Sequence, residues 1–370
     1  MPAAILVMGG VVGLTWVNVD AHSYQELWEH HLPLEVGPFH AALDLREWVN
    51  DALMALFFLA AGVEIKRELV LGELRTIRAA ALPAMGALGG MLAPIVIYLA
   101  ITVGTSGTEG WAVPVATDAA FAVGVLALAG PLVPVHLKLF LLTLAIADDV
   151  GGIAIIAVAF TDDLSLLALG GAASMLVAAM GMRAARVSHP LAYVPVLVLM
   201  WFFTLRSGVH ATIAGVVAGL LVPAAPLGRV NLIERLDRGL HPIVTFLVFP
   251  LFAVANTGVE VNGGVMSDAV GSRVFWGAAL GLVVGKTLGI TAFTLAAVRF
   301  GIGQLPSGVE ARHIPPVALL GGIGFTVAIF IAGLSFGDEA VLGEAKLAIL
   351  SASAVASLVG VLALRRTVRA

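Results

Sequence analysis

"LTLAIADDVGGIAIIAVAF", residues 142–160, sets two carboxylates, Asp148 and Asp149, side by side in an otherwise uncharged apolar run. The surrounding apolar window, 139–160, has its midpoint between them. A stretch of about 20 apolar residues is long enough to cross a bilayer as a helix. Similar stretches recur along the chain, which is 60% hydrophobic and only 12% charged over 370 residues. A soluble domain would carry about 25% charge. The composition therefore predicts an all-α polytopic membrane protein, with Asp148 and Asp149 at the depth where charge costs most.

The same composition excludes several functions. There is no cysteine, so disulfides, thiol chemistry and Cys-based metal sites are unavailable. The basic runs are too short for nucleic-acid binding. The net charge of -4 says little, because lipid-facing surface carries almost none of it. The first apolar stretch, "AAILVMGGVVGLTWV", lacks a basic leader and reads as a first span rather than a cleavable signal peptide. No stretch reads as a separate soluble domain.

Twelve spans, I to XII, fall at about 2–18, 45–65, 81–103, 111–129, 137–160, 164–181, 190–205, 207–222, 241–259, 274–298, 315–336 and 342–364. Basic residues set their orientation. With an inside N-terminus, inside segments hold Lys66, Arg67, Arg75, Arg78, Lys138, Arg183, Arg186, Arg229, Arg235, Arg238, Arg299, Arg312, Arg365, Arg366 and Arg369. Outside segments hold Arg46, Arg206, Arg273 and Lys346. Both termini are thus expected inside. The longest outside loop, 19–44, contains "LPLEVGPFHAAL", which suits a hairpin around Gly37 and Pro38. Unpaired strand edges can template a second copy; an ordinary solvated loop is the other reading.

Four charges lie near span centres: Asp118 in IV, Asp148 and Asp149 in V, and Lys286 in X. Each costs about 2.5–3.5 kcal/mol on insertion scales. One lysine can pair with one acid. The other two carboxylates need helix dipoles, protons or a bound cation. Two spans look interrupted: IV through Pro114 and the Thr117–Asp118 step, and XI through Gly321, Gly322 and Gly324, followed by Thr326. An interrupted helix presents positive N-terminal ends, which suit Asp118, and negative C-terminal ends, which suit Lys286. III–V and X–XII would run in opposite directions, each with its broken member in the middle. That is the order of inverted-repeat transporters. The single domain, 1–370, would then divide into core helices at about 81–160 and 274–364 and remaining spans that serve an interface.

Gly277, Gly281, Gly285 and Gly289 recur every four residues along X and invite close approach by another helix, with Lys286 beside the stripe. "GLVVGKT" mimics a nucleotide-binding loop but has one residue too few between its glycines and lies inside a span. Asp148 and Asp149 diverge by about 100° around their helix, so they do not clamp one ion symmetrically. A carboxylate there holds a proton or a small hard cation, whose ligands are oxygens; Thr117 offers another oxygen. Competition between proton and cation is the chemistry of antiport. An intramembrane aspartyl protease fits poorly, since it leaves Lys286 without a role.

The chain resembles the NhaA-type sodium/proton antiporters. The resemblance rests on "WVNDALMALFF" (48–58), "GVEIKREL" (62–69), "ATDAAFAVG" (116–124), "LAIADDVGGIAI" (144–155), "SGVHATIAGV" (207–216), "LHPIVTFLVFPLFAVANTGV" (240–259), "GKTLGI" (285–290) and "GGIGFTVAIFIA" (321–332). It implies twelve helices with IV and XI interrupted and crossing. It implies that Asp149 binds the ion, that Asp148 pairs with or alternates against Lys286, and that Asp118 and Lys286 compensate the crossed helices, with Thr117 beside the site. Glu64, Lys66, Arg67 and Glu68, with Asp237, match a pH-responsive cluster at the inner end of II. His210 matches a histidine of the pH response, and Asp51 an acid near the outer end of II.

The resemblance also implies electrogenic exchange of Na+ or Li+ for H+, a transient Na+ or Li+ on Asp149 and Asp148, no cofactor, a homodimer, and a bacterial inner membrane. Two departures stand out. Thr287 follows Lys286 where the family often has proline, and Arg238 follows Asp237. A cation channel, or a sodium-coupled symporter of an organic anion, is the alternative; the symporter lacks an unpaired central arginine.

Overall fold

The computed structural model describes residues 2–36, 39–130, 133–161, 164–185, 187, 190–223 and 232–369. The proposed turn residues Gly37 and Pro38, and the loop residues Arg186 and Arg229, lie outside them. Among the described residues, seven helices are long and apolar enough to cross a bilayer. These are II (Leu45–Val70), III (Ile77–Thr102), V (Val135–Ala159), VI (Leu166–Ala184), IX (Leu232–Asn256), X (Arg273–Arg299) and XII (Glu339–Val368). Three bent pairs extend the set: Ala3–Val19 (I) with Ala21–Trp28, Ser106–Val115 with Ala119–Leu128 (IV), and Ala311–Leu320 with Phe325–Ser335 (XI). Two shorter apolar helices, VII (Val194–Leu205) and VIII (Thr212–Leu221), complete the order. The chain is an all-α polytopic membrane protein.

The expectation for 207–222 needs correction. VIII has ten helical residues, about 15 Å, or half of a bilayer core. The cause is local. Gly208 takes φ +84°, a left-handed conformation that L side chains rarely adopt, and helical backbone resumes only at Thr212. The loop 19–44 is also more structured than expected. It opens with the helix Ala21–Trp28, capped by Asp20, whose carboxylate accepts from Ser23 N–H. That hydrogen bond lowers the Asp20 pKa. Strands β1 (His31–Val36) and β2 (Phe39–Asp44) then pair antiparallel, from His31 opposite Asp44 to Val36 opposite Phe39.

The chain forms two compact units. One comprises Met1–Val19, Glu73–Gly152 and Thr257–Ala370. Here III and X pack antiparallel along glycine. Gly277 lies on Tyr98, Gly285 on Pro94 and Gly289 on the carbonyl of Gly89. A methyl group at Gly89 or Gly289 would run into the facing backbone. The expected stripe is real, and its partner is helix III.

The other unit comprises Asp20–Gly72 and Ile153–Asn256. VIII packs on II through Gly62, Gly215 and Gly219, whose absent side chains let backbone meet backbone. Asn256 Nδ2 donates to Asn50 Oδ1 at 2.8 Å, and Trp48 stacks on Trp201 with ring centroids 6.0 Å apart.

Candidate functional site

Spans IV and XI are each broken, with bends of 54° and 52°. In IV, residues 116–118 leave the helix after Pro114, and Asp118 is extended at φ -80°, ψ 93°. In XI, Pro315 and Pro316 start the first half, and helix resumes at Phe325 after Gly321–Gly324. Gly322 has no room for a side chain, because the carbonyl of Leu282 occupies that position.

Broken backbone in a membrane must find partners within the protein. Here each break supplies the other. Thr117 Oγ1 donates to the Gly321 carbonyl at 2.7 Å, and Asp118 N–H donates to the Ile323 carbonyl at 2.7 Å. In return, Thr326 donates to Asp118 Oδ2 through its hydroxyl at 2.6 Å and its N–H at 3.3 Å. Asp118 Oδ1 accepts from Phe121 N–H at 2.9 Å. The carboxylate therefore sits at the starts of both second half-helices, where the dipoles are positive. Asp118, Thr117 and Thr326 are all buried.

Lys286 is fully buried and begins a regular helix after a widened, π-type turn at Gly281–Gly285. Such turns frequently mark functional sites. Its Nζ donates to Asp148 Oδ2 at 2.5 Å. The hydrogen bond of Lys286 among the described residues is thus with Asp148, not with a carbonyl end of a broken helix. Asp148 is buried, and its second oxygen, Oδ1, has no hydrogen-bond partner among the described residues.

Asp149 is partly exposed. Gly152, about one turn on, is buried yet has no atom within 4 Å of where a side chain would begin. The adjacent acids have different settings: Asp148 is buried against a lysine, and Asp149 is partly exposed. No group of three or more His, Cys, Asp or Glu that could cage a metal occurs among the described residues.

A second cluster lies at the end of II. Arg67 Nη1 meets Asp237 Oδ2 at 2.5 Å, and Arg67 Nη2 lies 4.0 Å from Glu64. Arg238 turns back to Glu234 at 3.9 Å, so its place beside Asp237 does not disturb the Arg67 pair. Glu68 is buried next to Gly72, and Lys66 is partly exposed.

His210 and Asp51 are not part of this cluster. His210 precedes helix VIII, whose other end packs Val222 against Val63 and Ile233; the helix between is about 15 Å long. Asp51 is sixteen positions before Arg67 on II, about 24 Å along the axis, and its carbonyl accepts from Trp201 Nε1 at 3.1 Å. Sequence names Thr326 only as the residue after the glycines of XI, and it does not point to the Asn50–Asn256 hydrogen bond. Buried polar side chains in apolar runs were the available signal, but neither partner was legible.

Compared with known proteins, residues 1–364 match the family model described as Na+/H+ antiporter 1. The chain belongs to that family. Among its antiporter relatives, the Na(+)/H(+) antiporter NhaA of Salmonella arizonae is 44% identical over 361 residues, spanning 96% of this chain and 93% of the relative. The NhaA 3 antiporter of Frankia alni is 40% identical over 396 residues, 98% of this chain and 86% of the relative. In this chain, the breaks within IV and XI and the two adjacent acids of V are the features that demand a job.

Proposed function

We propose that this protein exchanges Na+, and also Li+, for H+ across the bilayer, and that Asp149 is the exchanging group. One observation supports the assignment: of two adjacent membrane-depth acids, Asp148 is buried and hydrogen-bonded by Lys286, whereas Asp149 is partly exposed. The Lys286–Asp148 pair is formally neutral. Asp149 is then the acid that a proton or a sodium ion can reach.

A bare carboxylate in the low-dielectric interior is costly, so the empty charged site crosses poorly and the two ions exchange rather than leak. Unequal counts of H+ and Na+ make the exchange electrogenic. The crossing of IV and XI is held by reciprocal hydrogen bonds between the two breaks. It suits a two-state element that alternates access to Asp149, with ion occupancy biasing the two states.

Arg67, Glu64 and Asp237, with Lys66 and Glu68, serve the pH response, and His210 and Asp51 act on it from elsewhere. The excess of Lys and Arg in alternate loops supports cytoplasmic termini in a bacterial inner membrane. The two-stranded sheet of β1 and β2 has outer edges that suit pairing with a second copy, giving a homodimer.

The test is sodium-driven proton movement in everted vesicles carrying a pH gradient. Sodium or lithium collapses the gradient for the native chain, and Asp149→Ala abolishes this while the protein remains folded. Full activity in Asp149→Ala removes the assignment. Flux that follows its own gradient without proton coupling would make the protein a channel.

A further inference from the structure

The unit that carries Lys286 and Asp148 also holds a polar cleft, of about 850 Å3, lined by none of Asp118, Asp148, Asp149 and Lys286. It opens where III and V begin and beyond the end of X. Two ionisable side chains line it, Arg78 and His136, and no acid does. Neither has a hydrogen bond or ion pair among the described residues. Thr76, Gln304 and Ser307 add neutral donors to the same walls.

That lining is wrong for a cation. A sodium vestibule needs oxygen ligands and negative charge, and a guanidinium repels sodium. It is right for a phosphate. Arg presents a planar fork that meets phosphate oxygens in pairs, and hydroxyl and amide groups satisfy the remaining oxygens.

The rim says which phosphate. Ile302 lines the cleft, and Ile77, Val135 and Phe300 directly precede lining residues in the chain; the four are 47%, 91%, 66% and 78% exposed. They stand at the ends of helices that cross the bilayer. Polar basic walls with a greasy rim match a ligand with an anionic head and acyl tails. Basic pockets at the ends of membrane helices are where anionic lipid headgroups bind.

We propose that this cleft binds the phosphodiester headgroup of an anionic phospholipid, with Arg78 as its cationic contact, His136 as a further hydrogen-bond donor and the apolar rim against its chains. Occupancy ties together the ends of III, V and X, the helices that bring Gly90, Asp148 and Lys286 together, so lipid composition acts on the unit that holds the ion pair.

The test uses the full chain in neutral detergent. It is titrated separately with phosphatidylglycerol, phosphatidylcholine and inorganic phosphate, with native mass spectrometry counting bound molecules. One phosphatidylglycerol is expected to bind at least about ten-fold tighter than phosphatidylcholine, about one charge-assisted contact. The preference is lost in Arg78→Gln/His136→Gln, which changes only exposed side chains. It is kept in Arg312→Gln, whose guanidinium is paired with Glu310 outside the cleft. An unchanged preference in the double variant overturns the site. Saturation by inorganic phosphate, with phosphatidylglycerol no better than phosphatidylcholine, overturns the lipid assignment in favour of a free anion.

Discussion

Asp118 and Thr326, 208 positions apart in sequence, are joined twice: the hydroxyl and the backbone N–H of Thr326 both donate to the same carboxylate oxygen. The carboxylate is the common cap of two half-helices from opposite ends of the chain. It replaces intrahelical hydrogen bonds that both breaks forgo. The crossing is thus a polar joint inside an apolar bundle, and its parts can be removed one at a time.

Replacing Thr326 by valine keeps the shape and removes the stronger donor. Asp118 Oδ2 would then retain only the longer N–H contact. The expected loss is about 1–3 kcal/mol, the usual consequence of leaving a buried acceptor under-satisfied. Thermal unfolding of the purified protein in detergent reads it. An unchanged transition would show that the crossing does not depend on this bond.

The Lys286–Asp148 pair makes a sharper prediction. Lys286→Met alone strands a buried carboxylate, with an expected loss of about 3–5 kcal/mol. Lys286→Met combined with Asp148→Asn removes both charges and should recover most of that loss. Measured stabilities that simply add would mean the two residues do not act on each other.

The glycine seam separates close packing from open space. Gly89→Ala drives a methyl group into the backbone of X and should lower stability by about 1–3 kcal/mol, as overpacking does. Gly152→Ala meets nothing within 4 Å and should leave stability unchanged. The same unfolding assay compares the two, and equal effects would contradict the packing of III on X.

The proposed homodimer is tested at the hairpin. Replacing residues 32–43 with a short Gly/Ser linker keeps the base of the loop, where Leu45 N–H donates to the His30 carbonyl at 3.1 Å. The expected result is a shift from dimer to monomer in detergent, read as particle mass by light scattering. A dimer that survives the replacement locates the self-association elsewhere.

Much of the architecture was legible because the bilayer imposes simple rules. Apolar length gave the spans, and the proline and glycines of IV and XI gave their breaks. Span VIII was overestimated because an apolar run does not reveal a left-handed glycine within it. In the site, Asp148, Asp149, Asp118 and Lys286 stood out by depth alone. The adjacent acids were separable by helix geometry, but which neighbour each would meet was not. Arg238 shows the same limit: its place beside Asp237 suggested a disturbed cluster, and a turn of helix sends it to Glu234 instead.

What this sequence determined by itself was the membrane class, the depth of its charges and the places where helix must fail, because these depend on composition and backbone chemistry along the chain. What only the tertiary structure decided was pairing. Thr117 meets Gly321, Asp118 meets Ile323 and Thr326, Lys286 takes Asp148, and Arg67 takes Asp237. Those partners lie more than 130 positions apart. A buried polar group fixes how much it needs a partner, but the packing of distant helices chooses which one.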